Sequence, residues 1–240
     1  MVKGVGALLG GLRELLFKPE LRAVLWRMLG LLFVLMLLLV GGVFGLTDYL
    51  ASLWLPEGDA WYWQLLGYLV WIIATLLAAF TGIVTFTAVA SAAAAPWLDV
   101  LAARTEKLHG QAGQESGKSW ALQIVEALGN SVRPLLGLLA FGAVALLLLI
   151  VPVIGQVAAT LIWGYAGIRF LNYELMDTPA SRRGWAFAER KGAIRSRQFF
   201  WLGFGGLAMA LMLVPLLNLL VLPAAVVGLT KSLQTSEPQT

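Results

Sequence analysis

LLGLLAFGAVALLLLIVPVIGQVAATLIWGYAGI, residues 135–168, is a run of 34 residues without a charge, broken at Pro152. Residues 198–230, QFFWLGFGGLAMALMLVPLLNLLVLPAAVVGLT, form a second uncharged run of 33 residues, broken at Pro215. Arg133 and Arg169 flank the first run, Arg197 and Lys231 the second. At about 1.5 Å per residue, each run makes roughly 50 Å of helix against a hydrocarbon core of about 30 Å. That is too long for one upright crossing and too short for two crossings and a turn. A mid-run proline removes one backbone hydrogen bond and kinks or ends the helix. The reading therefore predicts two helical hairpins, each entering the bilayer, turning at its proline and leaving on the same side. Irregular backbone at membrane depth survives only where protein covers it or where it lines a wet cavity. The two tips thus require a partner surface or a polar path.

The rest of the composition agrees with a membrane location. The chain has 240 residues, 60% hydrophobic and 12% charged, where a soluble domain carries about 25% charged residues. Cysteine is absent and His109 is the single histidine. This excludes disulfide scaffolding, thiolate chemistry and multi-histidine metal sites. The net charge of +4 is read as loop arginines and lysines that set topology, not as a nucleic-acid surface. Met1-Val2-Lys3 and the apolar residues after it lack the shape of a cleaved signal peptide.

Residues 1–27 place Leu8, Leu9, Leu12, Leu15 and Leu16 at helical spacing among charges, predicting an amphipathic helix on the membrane surface. Pro19 suits the first turn of a new helix, which runs into an uncharged span at 28–47. The loop 48–59 holds Asp48, Glu57 and Asp59 and no Lys or Arg, whereas 1–27, 99–133 and 169–197 are rich in them. By the positive-inside rule the acidic loop is external and the other polar segments are cytoplasmic. Trp54, Trp61 and Trp63 fall where an interfacial belt belongs. Residues 60–98 are uncharged throughout and read as one helix that spans and then projects into the cytoplasm. A cytoplasmic helical segment at 99–134, the hairpin at 135–168, a basic cytoplasmic segment at 169–197, the hairpin at 198–230 and a tail at 231–240 complete a single membrane domain, 1–240. The expected fold class is an all-α polytopic membrane protein with two long transmembrane helices, two re-entrant hairpins and amphipathic helices on the cytoplasmic side.

The hairpins echo each other. Leu139-x-Phe141-Gly142 and Val151-Pro152 align with Leu202-x-Phe204-Gly205 and Val214-Pro215 at a constant offset of 63. Paired proline-broken segments in a membrane protein point to its binding site or pathway. Both copies start from the basic side, so the repeat is parallel.

An ordered set of short motifs carries a family resemblance. These are Ala95-Pro96-Trp97-Leu98-Asp99 with Glu106 and Gly110; Val151-Pro152-Val153-Ile154-Gly155-Gln156; Tyr173 with Asp177-Thr178-Pro179 and Arg182-Arg183; and Val214-Pro215 through Pro223 to Thr230. In this order the chain resembles the CysZ sulfate permease family and the wider superfamily of etoposide-induced membrane proteins. The resemblance implies sulfate uptake across the bacterial inner membrane for cysteine biosynthesis, few true spans, inserted hairpins and a homo-oligomer. It implies sulfate, and as a second substrate sulfite, as partners besides the bilayer. The family's Gly-Leu-Arg-Arg element after a proline corresponds here to Pro19-Glu20-Leu21-Arg22-Ala23. Glu20 stands in place of the glycine, and Ala23 in place of the second arginine.

Sulfate is doubly charged and strongly hydrated, so a site must offer arginine forks and free backbone N–H groups. The helix opening at Pro19 supplies N–H groups at Glu20, Leu21 and Arg22, with the side chains of Arg22 and Arg27 close by. The competing role of Arg22 and Arg27 is interfacial anchoring. Glu20 opposes a dianion at the same helix end. Gln156 and Asn218 offer neutral donors at the hairpin tips, or else satisfy backbone freed by the prolines. Arg133 and Arg169 bracket the first hairpin and line a cytoplasmic vestibule, or simply fix topology. Glu174 is the candidate proton carrier, and Asp177 is read as a cap or turn residue. No catalytic residues, metal ligands or cofactor are expected, because the chain has no His pair, no cysteine, no Gly-rich phosphate loop and no paired carboxylates at a helical spacing inside a hydrophobic run. The alternatives to sulfate transport are transport of another small anion and a non-conducting scaffold that shapes membranes.

Overall fold

The computed structural model describes residues 1–54, 61–110 and 120–234. Among these the chain is helical, with short turns between helices: α1 Val2–Phe17, α2 Pro19–Trp54, α3 Trp61–Leu108, α4 Trp120–Leu148, α5 Ile154–Arg182, α6 Phe187–Ser196, α7 Gln198–Met212 and α8 Pro215–Gln234. This is an all-α polytopic membrane protein. Expected as one membrane domain, the chain divides into two compact units, Met1–Val24 with Leu98–Thr240, and Leu25–Trp97.

The second unit holds the middles of α2 and α3. Pro19–Leu50 and Trp61–Ile83 are each long and apolar enough to cross a membrane. The α2 helix does not stop at Asp48, where the external loop was expected, but continues to Trp54. Nothing from Asp48 to Trp54 is Gly or Pro, so no residue ends the helix there; the remainder of that loop, 55–59, and residue 60 of the next expected span lie outside the described residues. At 48 residues, α3 spans roughly 70 Å and runs ten residues past the expected boundary at Leu98. Within this unit the two spans enclose an apolar groove of about 350 Å³, walled by Val43, Phe44, Gly82 and Phe86 among others. Such a groove, without charge and almost without polar surface, suits hydrocarbon.

In the first unit, α4 and α5 lie along each other, as do α7 and α8. The breaks fall at the prolines. Helix α4 ends at Leu148 and α5 begins at Ile154; α7 ends at Met212 and α8 begins at Pro215. The first turn is tight. Val153 sits at φ 63°, ψ −65°, and the Ile154 N–H donates to the Pro152 carbonyl at 2.7 Å. This is a three-residue γ-turn of the rarer hand, strained for a β-branched residue. Inside the uncharged runs each limb is about 14–16 residues, or roughly 20–25 Å of helix, less than the hydrocarbon thickness of about 30 Å. The helices themselves reach further: α4 starts well before Leu135, and α5 continues to Arg182. The rest of the expected cytoplasmic segment, 111–119, lies outside the described residues.

Helix α1, expected as an amphipathic helix, is packed on protein by one face. Its buried face is Gly4, Leu8, Gly11 and Leu15, and it packs on α7 and α8. A Cβ at Gly4 would meet the backbone of Phe200 and Phe204, and one at Gly11 would meet the backbone of Ala224 and Gly228. Small residues at this spacing let helix backbones approach closely. The apolar face of α1 is thus used by protein, and Leu9, Leu16 and Phe17 remain exposed.

Candidate functional site

The N-terminus of α2 is made by one extended residue. Lys18, at φ −82° and ψ 117°, breaks the path between α1 and α2, and its N–H closes α1 by donating to the Glu14 carbonyl at 2.9 Å. Pro19 then opens α2, where its missing N–H costs nothing. The Arg22 N–H, expected as a free donor, donates to the Lys18 carbonyl at 3.0 Å. Only the first-turn donors at Glu20 and Leu21 belong to the unpaired helix end. The Leu21 side chain is fully buried, so it contributes packing and no contact to an ion. Glu20, Arg22 and Arg27 are exposed. An unexpected arginine joins them: the Arg104 Nη1 donates to the Glu20 carbonyl at 2.9 Å. Arg104 comes from α3, 84 residues away, and no local signal ties it to Pro19.

Behind this helix end lies a dense polar network. Arg182 donates to Asp99 at 2.7 Å and to Glu106 at 2.8 Å. Asp99 and Glu106 are seven residues apart on α3, two turns along one face. The hydrogen bond to Glu106, helped by Asp99, holds the Arg182 guanidinium above its ordinary pKa in spite of burial. Arg190, 3% exposed, donates to Asp177 at 2.6 Å and to Ser181 at 2.8 Å. Asp177 is therefore inside α5 as an ion-pair partner, not a cap or turn residue. Glu14 of α1 meets Lys231 of α8 and lies 3.6 Å from His109. His109, in the turn after α3, also places Nδ1 2.9 Å from the Thr105 carbonyl.

The expected pathway residues are scattered. Gln156 and Asn218 are exposed in the first turns of α5 and α8, near the two hairpin tips. The Gln156 carbonyl accepts from Thr160, and the Asn218 N–H donates to the Val214 carbonyl. Arg133 does not stand free over a vestibule. Its guanidinium lies over the Phe187 ring at 5.3 Å, and Phe187 stacks on Tyr173 at 5.5 Å. Arg169 lines a small cleft with Asn172 and Gln198. Glu174 is exposed, and its carboxyl is raised above its usual value by partial burial first and the charge of Asp177 second. Among the described residues no cluster of His, Asp or Glu is arranged to hold a metal.

The profile of the family described as Sulfate transporter CysZ/Etoposide-induced protein 2.4 matches residues 7–223. The sulfate transporter CysZ of Pseudomonas aeruginosa strain PAO1 is 30% identical over 220 residues, covering 90% of this chain and 89% of that protein. The sulfate transporter CysZ of Pectobacterium atrosepticum is 31% identical over 201 residues, 81% of this chain and 73% of the relative. That of Vibrio parahaemolyticus is 30% identical over 239 residues, 95% and 92% of the two chains.

Proposed function

We propose that this chain, which belongs to the sulfate transporter CysZ/etoposide-induced protein 2.4 family, carries sulfate across a membrane. The observation that carries the reading is alignment with named sulfate transporters over most of the chain, 81–95% of it. The two membrane-length helices support it, as do hairpin limbs that are too short to cross.

The finer reading places the protein in the bacterial inner membrane, with 1–27, 99–134 and 169–197 on the cytoplasmic side, taking in sulfate for cysteine biosynthesis. Sulfite, as a tetrahedral oxyanion less one oxygen, is the second substrate. Because each hairpin stops short of the far leaflet surface, a continuous path needs further subunits, so the working unit is a homo-oligomer. No chemical step and no nucleic acid enter this reading. Sulfate meets the α2 N-terminus first, where Arg22 and Arg104 supply charge and the Glu20 and Leu21 N–H groups supply aligned donors. Arg27 holds the span at the interface. Gln156 and Asn218 offer neutral donors at the tips, where a fixed charge would cost about 2.5–3.5 kcal/mol on insertion scales. Glu174 is the carboxyl placed to exchange a proton at the cytoplasmic base.

The test is labelled sulfate entering proteoliposomes of the purified protein, compared with Arg22→Gln. Flux in the wild type that falls in the variant supports the reading. Vesicle remodelling with no flux, in both proteins, replaces it with the membrane-shaping scaffold.

A further inference from the structure

The bases of the two hairpins meet at one cleft. Arg169 is the first charge after the first uncharged run, and Gln198 is the first residue of the second. Both line a cleft of about 40 Å³ between α5, α6 and α7, together with Tyr165, Asn172, Ile194 and Trp201. A single water needs about 10–15 Å³ on this scale, so the cleft admits a compact ion and excludes an organic ligand. Its walls carry a guanidinium and amide groups, and no carboxylate lines it. Of the carboxylates on α5 and α3, Asp177 is engaged by Arg190, and Asp99 and Glu106 by Arg182; Glu174 has no ion pair among the described residues but does not line the cleft.

Arg169 itself is half-buried, with no hydrogen bond or ion pair to its side chain among the described residues. A half-buried guanidinium without a counter-charge keeps its donors available to an anion. Its neighbours are fixed. Asn172, 2% exposed, donates its amide to the Trp201 carbonyl at 2.9 Å, and its amide plane lies flat on Gly205. The Trp201 indole N–H donates to the Ala193 carbonyl at 2.9 Å. These bonds tie α5, α6 and α7 together around the opening.

We propose that this cleft is a second oxyanion site, a station where the transported dianion rests at the cytoplasmic base of the hairpins. The Arg169 guanidinium grips two oxygens as a fork, and the Gln198 side-chain amide holds a third. The site rests on the transport reading but is separate from the α2 N-terminus, and it names where an anion leaving the uncharged zone first meets a cation.

The experiment soaks crystals of the full chain with selenate, which is isosteric with sulfate and visible by anomalous scattering. Sulfate binding to the same protein in detergent is titrated alongside. An anomalous peak within hydrogen-bond reach of Arg169 and Gln198 is expected. Arg169→Met should weaken sulfate binding at least about tenfold, the loss expected of a charge-assisted hydrogen bond. Arg169→Lys should lose less, and Arg195→Met, which removes an exposed charge outside the cleft, should lose nothing. Selenate found only elsewhere, or equal losses in the Arg169 and Arg195 variants, overturns the site. Should Arg169→Met misfold, Arg169→Lys and the selenate map decide. Proteoliposome flux separates the two claims. Flux with no selenate in the cleft removes this site and leaves transport standing, whereas selenate bound at Arg169 without flux does the reverse.

Discussion

Gly11 of α1 and Gly228 of α8 touch through their backbones: a Cβ added at Gly11 would lie 2.6 Å from the Gly228 nitrogen. The contact fixes α1 to the second hairpin, and the Glu14–Lys231 ion pair lies close by along the same pair of helices. Replacing Gly11 by Leu forces backbone against side chain, which costs about 1–3 kcal/mol where the structure can yield and more where it cannot. Gly6 has open space around it, and Ala there should help by up to about 1 kcal/mol, as it does in helix interiors. Thermal unfolding in detergent should show Gly11→Leu melting lower and Gly6→Ala melting level or higher. Equal melting of Gly11→Leu and wild type removes the close approach.

The Arg182–Glu106 pair is a part-buried charge pair, with the exposed Asp99 as a third member. Glu106→Gln leaves a part-buried cation short of its main partner, and the loss should be about 1–2 kcal/mol, between the values for exposed and fully buried pairs because solvent and Asp99 still reach the guanidinium. Replacing both residues with apolar ones, Arg182→Met with Glu106→Leu, should recover much of it. Unfolding of the two single variants and the double variant measures this coupling. Strict additivity would show that the residues act independently.

The fold was largely legible because its main signals are local. Proline inside an uncharged run, and the length of that run against the bilayer, place both breaks and both long spans. The failures are of two kinds. Helix α1 was placed correctly as a helix by the spacing of its leucines, which cannot reveal the packing missed there, that Gly4 and Gly11 face other backbones. The extent of α2 was read from charge, although Asp48 is compatible with helix. At the candidate site, Pro19 correctly marks a helix start, but the Arg22 N–H is already taken by Lys18, one residue outside the motif. Partners such as Arg104 for Glu20, 84 residues apart, and His109 for Glu14 are set by tertiary packing. No spacing rule connects them.

Glu174 gives a pH signature. Its carboxyl is raised above the ordinary 4.5 by partial burial and by Asp177, so the folded protein binds this proton more tightly than the unfolded chain does. The stability it contributes is complete below about pH 4.5 and is lost as pH rises through the raised folded value. Glu174→Gln imitates the protonated form at every pH. Its melting temperature should exceed the wild type's at pH 7–8 and match it near pH 4. The difference should be small and shrink in salt, because the side chain stays open to solvent. A lower melting temperature for the variant at neutral pH would show that the charge stabilises.

The absence of cysteine makes the hairpin geometry directly measurable. Single-cysteine variants Val132→Cys and Ala186→Cys sit on exposed residues beyond the two ends of the first hairpin, and Ile154→Cys sits at its tip. A membrane-impermeant maleimide should label Val132→Cys and Ala186→Cys from the same face. If the tip enters the bilayer as proposed, Ile154→Cys should react with neither face unless detergent is added. Labelling of the two ends from opposite faces within one orientation of the protein would make the pair a true double crossing, and limbs of roughly 20–25 Å would then have to thin the bilayer.

Glu20 is the residue whose charge most directly opposes an anion at the α2 N-terminus. It is exposed in the first turn, where its carboxylate takes the place that the helix end offers to a ligand. Its backbone carbonyl, not its side chain, holds Arg104, so removing the carboxylate leaves that arginine in place. Glu20→Gly should therefore tighten sulfate binding a few-fold, corresponding to the roughly 0.3–1 kcal/mol that a charge at a helix end is worth. Glu20→Gln separates charge from backbone freedom and should give most of the same gain. Titration of the purified variants with sulfate reads both. Unchanged or weaker binding in the pair would take the α2 N-terminus out of the anion's route, because an ion bound there could not be indifferent to a carboxylate in the same turn.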